Sequence, residues 1–218
     1  MNVTSLPTPV AFVLTGGASN GAAQAGMLRA TAEVNLEPDL VTGTSVGALN
    51  GAVLAERPDL GPARLLEIWA GLSRSDVFTD GLATRLANLV RSRRYLYSGR
   101  GLRKLASGHL RADEFSDLAI PFAAVATDVI AGREVVLRTG PLVQAIAASA
   151  AIPDVLPNVE IGGRLLMDGG VVANAPVHAA IEMGARSIVL LDAGYACHLS
   201  EPPSLRAISQ RVCSTRRR

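Results

Sequence analysis

The sequence predicts a three-layer α/β/α fold in which helices cover both faces of a mainly parallel central sheet. Short apolar segments alternate with longer segments of helical periodicity, which is typical of parallel α/β proteins. Several apolar segments run directly into glycine-rich turns, as strands do where a loop leads into a helix. Apolar residues make up 49% of the 218 residues and charged residues 18%, so the chain can bury a sizeable core and is not disordered.

The N-terminal half is predicted to contain two strand–helix pairs and a third helix. The periodicity predicts strands at Val10–Leu14 and 40–41, and helices at Gly21–Glu33, 46–55 and 62–72. The third helix carries Pro62 near its N-terminus, where proline is favoured because the missing N–H would have no partner in any case.

The C-terminal half is predicted to begin with two strands joined by a turn at Gly132, followed by a helix. A β-hairpin is predicted next, because Gly162-Gly163 is a two-residue hairpin signature, and this hairpin delivers Asp168 to its C-terminal end. A last helix and a last buried strand follow. The predicted strands lie at 120–126, 134–137, 160–161, 164–167 and 188–191, and the predicted helices at 141–148 and 177–183.

Ser45 is the strongest candidate for a nucleophile. It follows a short apolar strand and precedes a predicted helix, within the G-x-S-x-G pattern Gly43-Thr44-Ser45-Val46-Gly47. A sharp strand–turn–helix connection of this kind exposes the serine hydroxyl, and it requires small flanking residues because the turn leaves no room for β-carbons. The pattern alone also occurs in ordinary turns, so the prediction depends on what accompanies it.

Two further loops follow predicted strands and supply the other groups that acyl transfer needs. The loop Thr15-Gly16-Gly17-Ala18-Ser19-Asn20-Gly21 opens a helix, and the unpaired N–H groups there can hold a negatively charged oxygen or a phosphate. The turn Met167-Asp168-Gly169-Gly170 presents a carboxylate. Each loop alone would be an ordinary α/β loop. Together they provide oxyanion donors, a nucleophile and a carboxylate at the strand ends, where α/β sheets keep their sites.

These motifs, with others in the same order, resemble the bacterial branch of the patatin-like phospholipase family. The resemblance extends from Val10 to about Asp192 and includes the segments Leu14-Thr15-Gly16-Gly17-Ala18-Ser19-Asn20-Gly21-Ala22, Gly43-Thr44-Ser45-Val46-Gly47-Ala48-Leu49-Asn50, Val125-Ala126-Thr127-Asp128, Ala148-Ser149-Ala150-Ala151-Ile152-Pro153, Asp168-Gly169-Gly170-Val171 and Asn174-Ala175-Pro176.

The resemblance implies a lipid acyl hydrolase of the phospholipase A or lysophospholipase type, a serine esterase with a catalytic dyad. Ser45 would be the nucleophile and Asp168 its base, with an oxyanion hole formed by the backbone of residues 16–18. The implied oxyanion and substrate-binding residues are Gly16, Gly17, Ala18, Ser19, Asn20 and Gly21. Neither a metal nor another cofactor is implied.

Two positions depart from the family's usual pattern. The family usually has a third glycine where Ala18 stands, and an arginine or lysine where Asn20 stands. Ala18 can donate its N–H without strain if its φ is negative, whereas a glycine-only conformation would be strained. The absence of a cation at Asn20 removes a positive charge near the developing oxyanion, so we expect lower activity or an altered choice of substrate.

Three alternatives remain open at the sequence level. A Ser-His-Asp triad is compatible with the chain order Ser45, Asp192, His198, although nothing around His198 marks it as catalytic. A catalytically weak lipid-binding or regulatory protein on the same scaffold would explain Ala18 and Asn20. Nucleotide binding by the glycine loop is disfavoured, because the loop lacks the lysine of a P-loop and the spacing of a dinucleotide fold.

Charge and cysteine content limit the partners and the location. The net charge of +2 is too small to indicate nucleic acid binding. Cys197 and Cys213 lack metal-site spacing, which favours reduced thiols in a cytoplasmic protein. The apolar run Val10–Leu14 is too short for a signal peptide or an anchor, so we expect neither. We expect one hydrolase domain at 1–200 and a tail at 201–218.

Residues 81–112 contain no acidic side chain, and their basic residues are interleaved with Leu and Tyr. The segment is either a solvated helix face or a cap that contacts anionic lipid headgroups, each basic residue adding about 1 kcal/mol to membrane binding. The interpretation as a cap predicts peripheral membrane contact. The basic residues are Arg85, Arg91, Arg93, Arg94, Arg100, Arg103, Lys104 and Arg111.

Overall fold

Seven strands form one sheet at the centre of the described part of the chain. The computed structural model describes residues 6–81, 84 and 95–194. The strands are β1 Val10–Leu14, β2 Leu40–Thr44, β3 Phe122–Asp128, β4 Arg133–Leu137, β5 Val159–Ile161, β6 Arg164–Asp168 and β7 Ser187–Leu191.

The sheet is parallel on one side and antiparallel on the other. Its strand order is β5-β6-β3-β2-β1-β7, and β4 pairs with β3 off this path. Strands β7, β1, β2 and β3 are mutually parallel, whereas β4 and β6 run antiparallel to β3. Because Leu14 pairs with Gly43 and Thr44 pairs with Val125, β1, β2 and β3 reach the same edge of the sheet.

The described residues give the bounds of seven α-helices, of which α2 is the most deeply buried. Every residue of α2 from Gly47 to Glu56 is buried, and this is possible because most of the helix consists of glycine, alanine and other small or apolar residues. The helices are α1 Gly21–Glu33, α2 Val46–Glu56, α3 Gly61–Gly71, α4 Arg74–Val77, α5 Arg100–His109, α6 Leu142–Ser149 and α7 Val177–Glu182.

Strand β1 shows how the three layers are built, because its side chains alternate between two cores. Phe12 and Leu14 belong to the main core, together with residues of α1, α2, α3, α5 and α6. Ala11 and Val13 point to the opposite face, where they pack with Ala180 of α7. Alternate side chains of one strand therefore meet helices on both faces of the sheet. The α/β fold with a mainly parallel central sheet is confirmed.

The predicted strands and helices agree with the structure, and no end of a predicted element is shifted by more than three residues. The predicted hairpin joins β5 to β6, and Gly162 and Gly163 adopt positive φ angles of 57° and 72°, as the favoured two-residue hairpin turn requires. Strand β2 is longer than predicted and continues through Gly43 to Thr44, so the strand extends into the G-x-S-x-G pattern itself.

The prediction of a buried last strand is wrong for β7. In the described residues β7 pairs only with β1, and its side chains alternate in burial. Ile188 and Leu190 are 37% and 45% exposed. A run of apolar residues in sequence is equally consistent with an edge strand, because periodicity does not report which neighbours cover it.

Part of the basic segment is described, and there it is an amphipathic helix. In α5, Leu102, Leu105 and Ala106 are buried while Arg103 and Lys104 are exposed, which agrees with a solvated helix face. Arg85, Arg91, Arg93 and Arg94 lie outside the described residues, as do Cys197, His198, Cys213 and the tail predicted at 201–218. Among the described helices, none combines the length and apolar character needed to cross a membrane.

Candidate active site

Ser45 lies in a strained turn between β2 and α2. Its φ and ψ are 55° and −121°, a conformation that is unusual for any residue other than glycine. The flanking glycines are required by close backbone contacts: a Cβ on Gly43 would lie 2.2 Å from the carbonyl oxygen of Gly47, and one on Gly47 would lie 2.3 Å from that of Leu14. The turn therefore has the geometry expected of a nucleophile elbow.

The Asp168 carboxylate meets the Ser45 hydroxyl directly. Ser45 Oγ donates a hydrogen bond to Asp168 Oδ2 at 2.7 Å, and the N–H of Gly170 donates to Asp168 Oδ1 at 2.7 Å. Both side chains are buried, each with 8% of its surface exposed. Asp168 ends β6, so the hairpin between β5 and β6 delivers it to this position, as the sequence predicted.

Burial changes the acid–base chemistry of Asp168. The pKa of Asp168 is raised from its ordinary value of 3.8 to about 6, because the effect of burial exceeds the opposing effect of the hydrogen bonds from Ser45 and Gly170. A carboxylate with a raised pKa is a stronger base than an exposed one, yet most of it is still ionised at neutral pH. The Asp168 carboxylate can therefore accept a proton from the Ser45 hydroxyl.

Sequence reasoning gave Ser149 no role, although it contacts the backbone of Ser45. The N–H of Ser45 donates to Ser149 Oγ at 2.9 Å, and Ser149 Oγ donates to the carbonyl oxygen of Val125 at 2.6 Å. This hydroxyl, at the end of α6, thus links the elbow to β3. The bond occupies the N–H of Ser45, which is consequently not a donor to a bound substrate. The segment around Ser149 was part of the family resemblance, but nothing in its residue types indicates this bond.

The glycine loop packs against the elbow, and its residues differ in what they offer. A Cβ on Gly16 would lie 3.3 Å from the Cβ of Ser45, so the loop backbone is adjacent to the nucleophile. The N–H of Gly16 already donates to the carbonyl oxygen of Asn174 at 3.1 Å. The N–H groups of Gly17 and Ala18 have no hydrogen-bond partner among the described residues. They are candidate oxyanion donors in the loop that packs against the elbow.

The remaining loop residues shape the loop. Ala18 has a φ of 48°, the left-handed conformation that glycine would adopt without strain. Ser19 is exposed within a short 3-10 turn, Ala18–Asn20. A Cβ on Gly21 would lie 2.4 Å from Val46 Cγ2, so this glycine allows the start of α1 to pack on α2.

Asn20, which replaces the family's usual cation, ties the glycine loop to the end of β7. Asn20 Nδ2 donates to the carbonyl oxygen of Ala193 at 3.1 Å. Thr15 reinforces the same junction, because its Oγ1 accepts from the N–H of Ala193 at 2.8 Å and donates to Asp192 Oδ1 at 3.0 Å. The side chain at position 20 therefore supports the loop by a neutral hydrogen bond.

A buried polar network holds the glycine loop from below. Gln24 Nε2 donates to the carbonyl oxygens of Thr15 and Leu191, at 2.9 and 3.0 Å. Asn50 Nδ2 donates to Gln24 Oε1 at 2.9 Å, and Trp69 Nε1 donates to Asn50 Oδ1 at 3.0 Å. A network whose members are all satisfied fixes a unique geometry, so the loop is preorganised.

Of the two groups that the alternative triad adds to Ser45, the described residues include only Asp192. Asp192 Oδ1 accepts from the Thr15 hydroxyl at 3.0 Å and from the N–H of Gly194 at 2.8 Å. His198 lies outside the described residues. His178 has an exposed side chain 3.6 Å from Glu182, and His109 ends α5.

Comparisons with known proteins agree on one family. The family model described as "Patatin-like phospholipase" matches residues 12–181. "Patatin-like phospholipase domain-containing protein 7" of Rattus norvegicus is 34% identical over 188 residues, covering 85% of this chain and 14% of the relative. "Neuropathy target esterase sws" of Drosophila melanogaster is 30% identical over 188 residues, with 85% and 13% covered. The chain thus spans about one-seventh of the length of these curated relatives.

A solved structure has the same fold. The "Crystal structure of VipD from Legionella pneumophila" matches with a TM-score of 0.62 at 16% sequence identity. The match covers 84% of this chain and 49% of that chain. At this level of identity the similarity establishes the arrangement of the sheet and helices, not the chemistry.

Proposed function

The chain belongs to the patatin-like phospholipase family, and from this premise we propose that it hydrolyses carboxylic esters of lipids. In this proposal Ser45 is the nucleophile, Asp168 is its base, and the N–H groups of Gly17 and Ala18 form the oxyanion hole. The substrates are phospholipids or lysophospholipids, the class that the family name indicates.

One observation carries the proposal: the 2.7 Å hydrogen bond from Ser45 Oγ to Asp168 Oδ2. A serine hydroxyl is a weak nucleophile unless a base within hydrogen-bond reach removes its proton. An aspartate with an ordinary pKa would be a poor acceptor, and burial corrects this by raising the pKa of Asp168 to about 6.

Acylation begins when Ser45 Oγ attacks the ester carbonyl carbon and passes its proton to Asp168 Oδ2. The carbonyl π electrons move to the oxygen, which becomes negatively charged and accepts hydrogen bonds from the free N–H groups of the glycine loop. When this intermediate collapses, the bond to the alcohol oxygen breaks and protonated Asp168 gives its proton to the leaving alcohol. Ser45 is then esterified by the acyl chain.

Deacylation reverses the roles of the nucleophile and the leaving group. Asp168, ionised again, takes a proton from a water molecule whose oxygen attacks the acyl carbon. The second tetrahedral intermediate collapses with cleavage of the bond to Ser45 Oγ, and Ser45 recovers its proton from Asp168. The products are a fatty acid and regenerated enzyme, so protons balance over the cycle without another titratable side chain.

We propose that the protein acts at membrane surfaces by peripheral contact. A lipid ester resides in an aggregate or a bilayer, and the basic segment at 81–112 supplies positive charge for anionic headgroups. In the same proposal the protein is cytoplasmic, and the hydrolase domain extends over residues 1–200.

A second function, that of a catalytically weak lipid-binding protein, is favoured by two features of the glycine loop. Ala18 is held in a left-handed conformation and Asn20 contributes no charge, so the oxyanion site is less ideal than that of the family pattern. The two functions differ in turnover of an activated short-chain ester. An esterase hydrolyses it catalytically, whereas a binding protein does not.

The test is hydrolysis of p-nitrophenyl butyrate and of lysophospholipid by the wild-type protein and three variants. We expect Ser45→Ala to be inactive, and Asp168→Asn to be slower by the 10²–10⁴-fold that is typical for loss of a general base. Ser107→Ala, on the exposed side of α5, is the matched control and keeps full activity. Turnover retained by purified Ser45→Ala would refute the serine-esterase mechanism.

A further inference from the structure

The segment that follows Asp168 crosses the sheet edge beside the proposed dyad. Residues 169–176 lead from the end of β6 to the start of α7. On the way, the backbone of Asn174 accepts a hydrogen bond from Gly16, so the segment passes over the end of β1. Its backbone is irregular apart from one short 3-10 turn, Gly169–Val171. Some of its carbonyl groups accept from nearby backbone N–H groups, as Gly169 does from Val172 and Ala173, and others depend on donors from elsewhere in the fold.

Three threonine hydroxyls donate to carbonyl groups between Asp168 and Pro176, and the carbonyl oxygen of Pro176 also accepts from the N–H of Ala180 at 3.4 Å. Thr127 Oγ1 donates to the carbonyl oxygen of Asp168 at 3.0 Å, Thr44 Oγ1 to that of Ala173 at 2.8 Å, and Thr42 Oγ1 to that of Pro176 at 3.1 Å. All three threonines are fully buried. The bonds are spread from the first to the last residue of the connection between Asp168 and α7.

The three threonines lie on one face of two neighbouring strands. Thr42 and Thr44 alternate with Val41 and Gly43 on β2, and they share the face of Leu40, which packs in the core under α7. Thr127 is on β3, and Ala126 beside it belongs to a core on the opposite face. A valine would have the same shape at each position and would suit a buried strand, so shape alone does not require these hydroxyls.

We propose that Thr127, Thr44 and Thr42 are positioning residues, which clamp the segment after β6 so that the Asp168 carboxylate stays against the Ser45 hydroxyl and away from water. This inference rests on the proposed role of Asp168 as the base. It adds three residues whose side chains do not touch the reacting atoms. Thr127 is the central one, because it bonds the backbone of Asp168 itself.

The clamp has a measurable consequence because the basicity of Asp168 depends on burial. Among the described residues, the Ser45 hydroxyl and the Gly170 N–H donate to the carboxylate, no charged group contributes to the change in its pKa, and desolvation is the largest cause of its raised pKa. If the segment loosens, water reaches the carboxylate and its pKa falls towards the ordinary range. The base is then weaker and less well placed, so kcat falls while binding of the acyl chain is unaffected.

The test compares Thr127→Val with Thr127→Ser, using kcat, KM and the pH dependence of kcat for a soluble ester. We expect Thr127→Val to lower kcat by about 10- to 100-fold, to change KM by less than about 2-fold, and to move the acid limb of the profile to lower pH. Thr127→Ser keeps the hydroxyl donor, so its kcat and the acid limb of its pH profile should match those of the wild-type protein. Thr31→Val is the control, because Thr31 also donates to a backbone carbonyl, that of Leu28, near the end of α1.

The outcomes separate this inference from the proposed function. An unshifted acid limb and an unchanged kcat in Thr127→Val would overturn the clamp, and so would failure of Thr127→Ser to restore them. If Thr127→Val does not fold, Thr42→Val decides, with a smaller effect in the same direction expected because Pro176 is farther from the carboxylate. The proposed function fails by a different result, namely normal turnover in Asp168→Asn with the threonines intact.

Discussion

At the scale of single residues, Asp168 combines two opposing properties. Its burial raises the pKa of the carboxylate and makes it a useful base, but the same burial makes the ionised form costly in the folded protein. Groups that are strained or desolvated in this way cluster at functional sites. The pH dependence of the free energy of unfolding should therefore reveal the cost of burying the ionised carboxylate.

We expect Asp168→Asn to be more stable than the wild-type protein at neutral pH. The folded-state pKa of about 6 is above the ordinary value of 3.8, so the stability that Asp168 contributes is complete below pH 4 and is lost as pH rises through 6. The stability difference between the variant and the wild type should grow by up to about 3 kcal/mol from pH 4 to pH 7.5, at about 1.4 kcal/mol per pKa unit. Urea unfolding at the two pH values measures it, and an equal difference at both would contradict a raised pKa.

Ala18, like Ser45, has a strained backbone, because its φ of 48° is left-handed. Replacing it by glycine removes the steric cost of the Cβ, about 1–2 kcal/mol, and adds less than about 1 kcal/mol of unfolded-state entropy. We expect Ala18→Gly to raise the free energy of unfolding by about 1 kcal/mol and to retain turnover, because the N–H at position 18 is kept. Loss of stability in urea unfolding would show that the loop does not hold this conformation.

The sequence indicated the proposed reacting groups better than it indicated the residues that hold them in place by hydrogen bonds. Ser45 and Asp168 could be predicted because each lies in a short glycine-containing turn with a recognisable pattern after a strand. Ser149 could not, because a serine at the end of a helix has no pattern that reveals a partner 104 positions away. The role of Asn20 as a support was equally invisible, since its bond to Ala193 depends on β1 and β7 being neighbours.

At the scale of elements, the elbow depends on how closely β2, α2 and β1 approach one another. A Cβ added to Gly43 or Gly47 would lie 2.2 or 2.3 Å, respectively, from a backbone carbonyl oxygen, much closer than van der Waals contact. The sequence showed that small residues were needed but not what they would touch. Gly47 approaches β1, an element whose position follows only from the sheet order.

We expect Gly47→Ala to destabilise the protein by about 3 kcal/mol or more, at the upper end of the cost of overpacking, because the new Cβ meets the rigid backbone of Leu14 at 2.3 Å. Gly26→Ala is the matched control, since Gly26 is exposed within α1 and a Cβ there meets nothing within 4 Å. That substitution should stabilise the protein by about 0.5–1 kcal/mol. Thermal and urea unfolding compare the two, and similar behaviour of both variants would contradict the close approach.

At the scale of the whole molecule, the site exists only because the sheet brings distant loops together. Ser45 follows β2, Asp168 ends β6 and the glycine loop follows β1, and these strands reach one edge in the order β6-β3-β2-β1. Alternating strands and helices predicted a parallel sheet and glycine turns predicted the β5–β6 hairpin, but the antiparallel pairing of β6 with β3, which joins that hairpin to the sheet, required the structure. Hydrophobic periodicity gives the type of an element, not its neighbours.

The basic segment gives a prediction for the molecule at a membrane. Neutralising Arg91, Arg93 and Arg94 should weaken binding to vesicles containing phosphatidylserine by up to about 3 kcal/mol at low salt, at about 1 kcal/mol for each charge. Hydrolysis of a small soluble ester should not change. Added salt should mimic the variant, because screening shortens the reach of exposed charges to about 8 Å at physiological ionic strength.

A second triple variant provides the control for the vesicle measurement. It neutralises three exposed arginines elsewhere, Arg29, Arg57 and Arg186, and so changes the net charge by the same amount. Equal loss of vesicle binding in both triple variants would indicate a general charge effect. Binding that responds to neither variant nor to salt would leave the segment as a solvated helix face.

The most direct test of the central claim is active-site labelling with a fluorophosphonate, followed by mass spectrometry of the digested protein. The reagent reacts only with a serine whose hydroxyl is activated by a base. The account predicts a single phosphonylated residue, Ser45, with labelling slowed by about 10²–10⁴-fold in Asp168→Asn and absent in Ser45→Ala. Labelling of a different serine, or an unchanged rate in Asp168→Asn, would contradict the account.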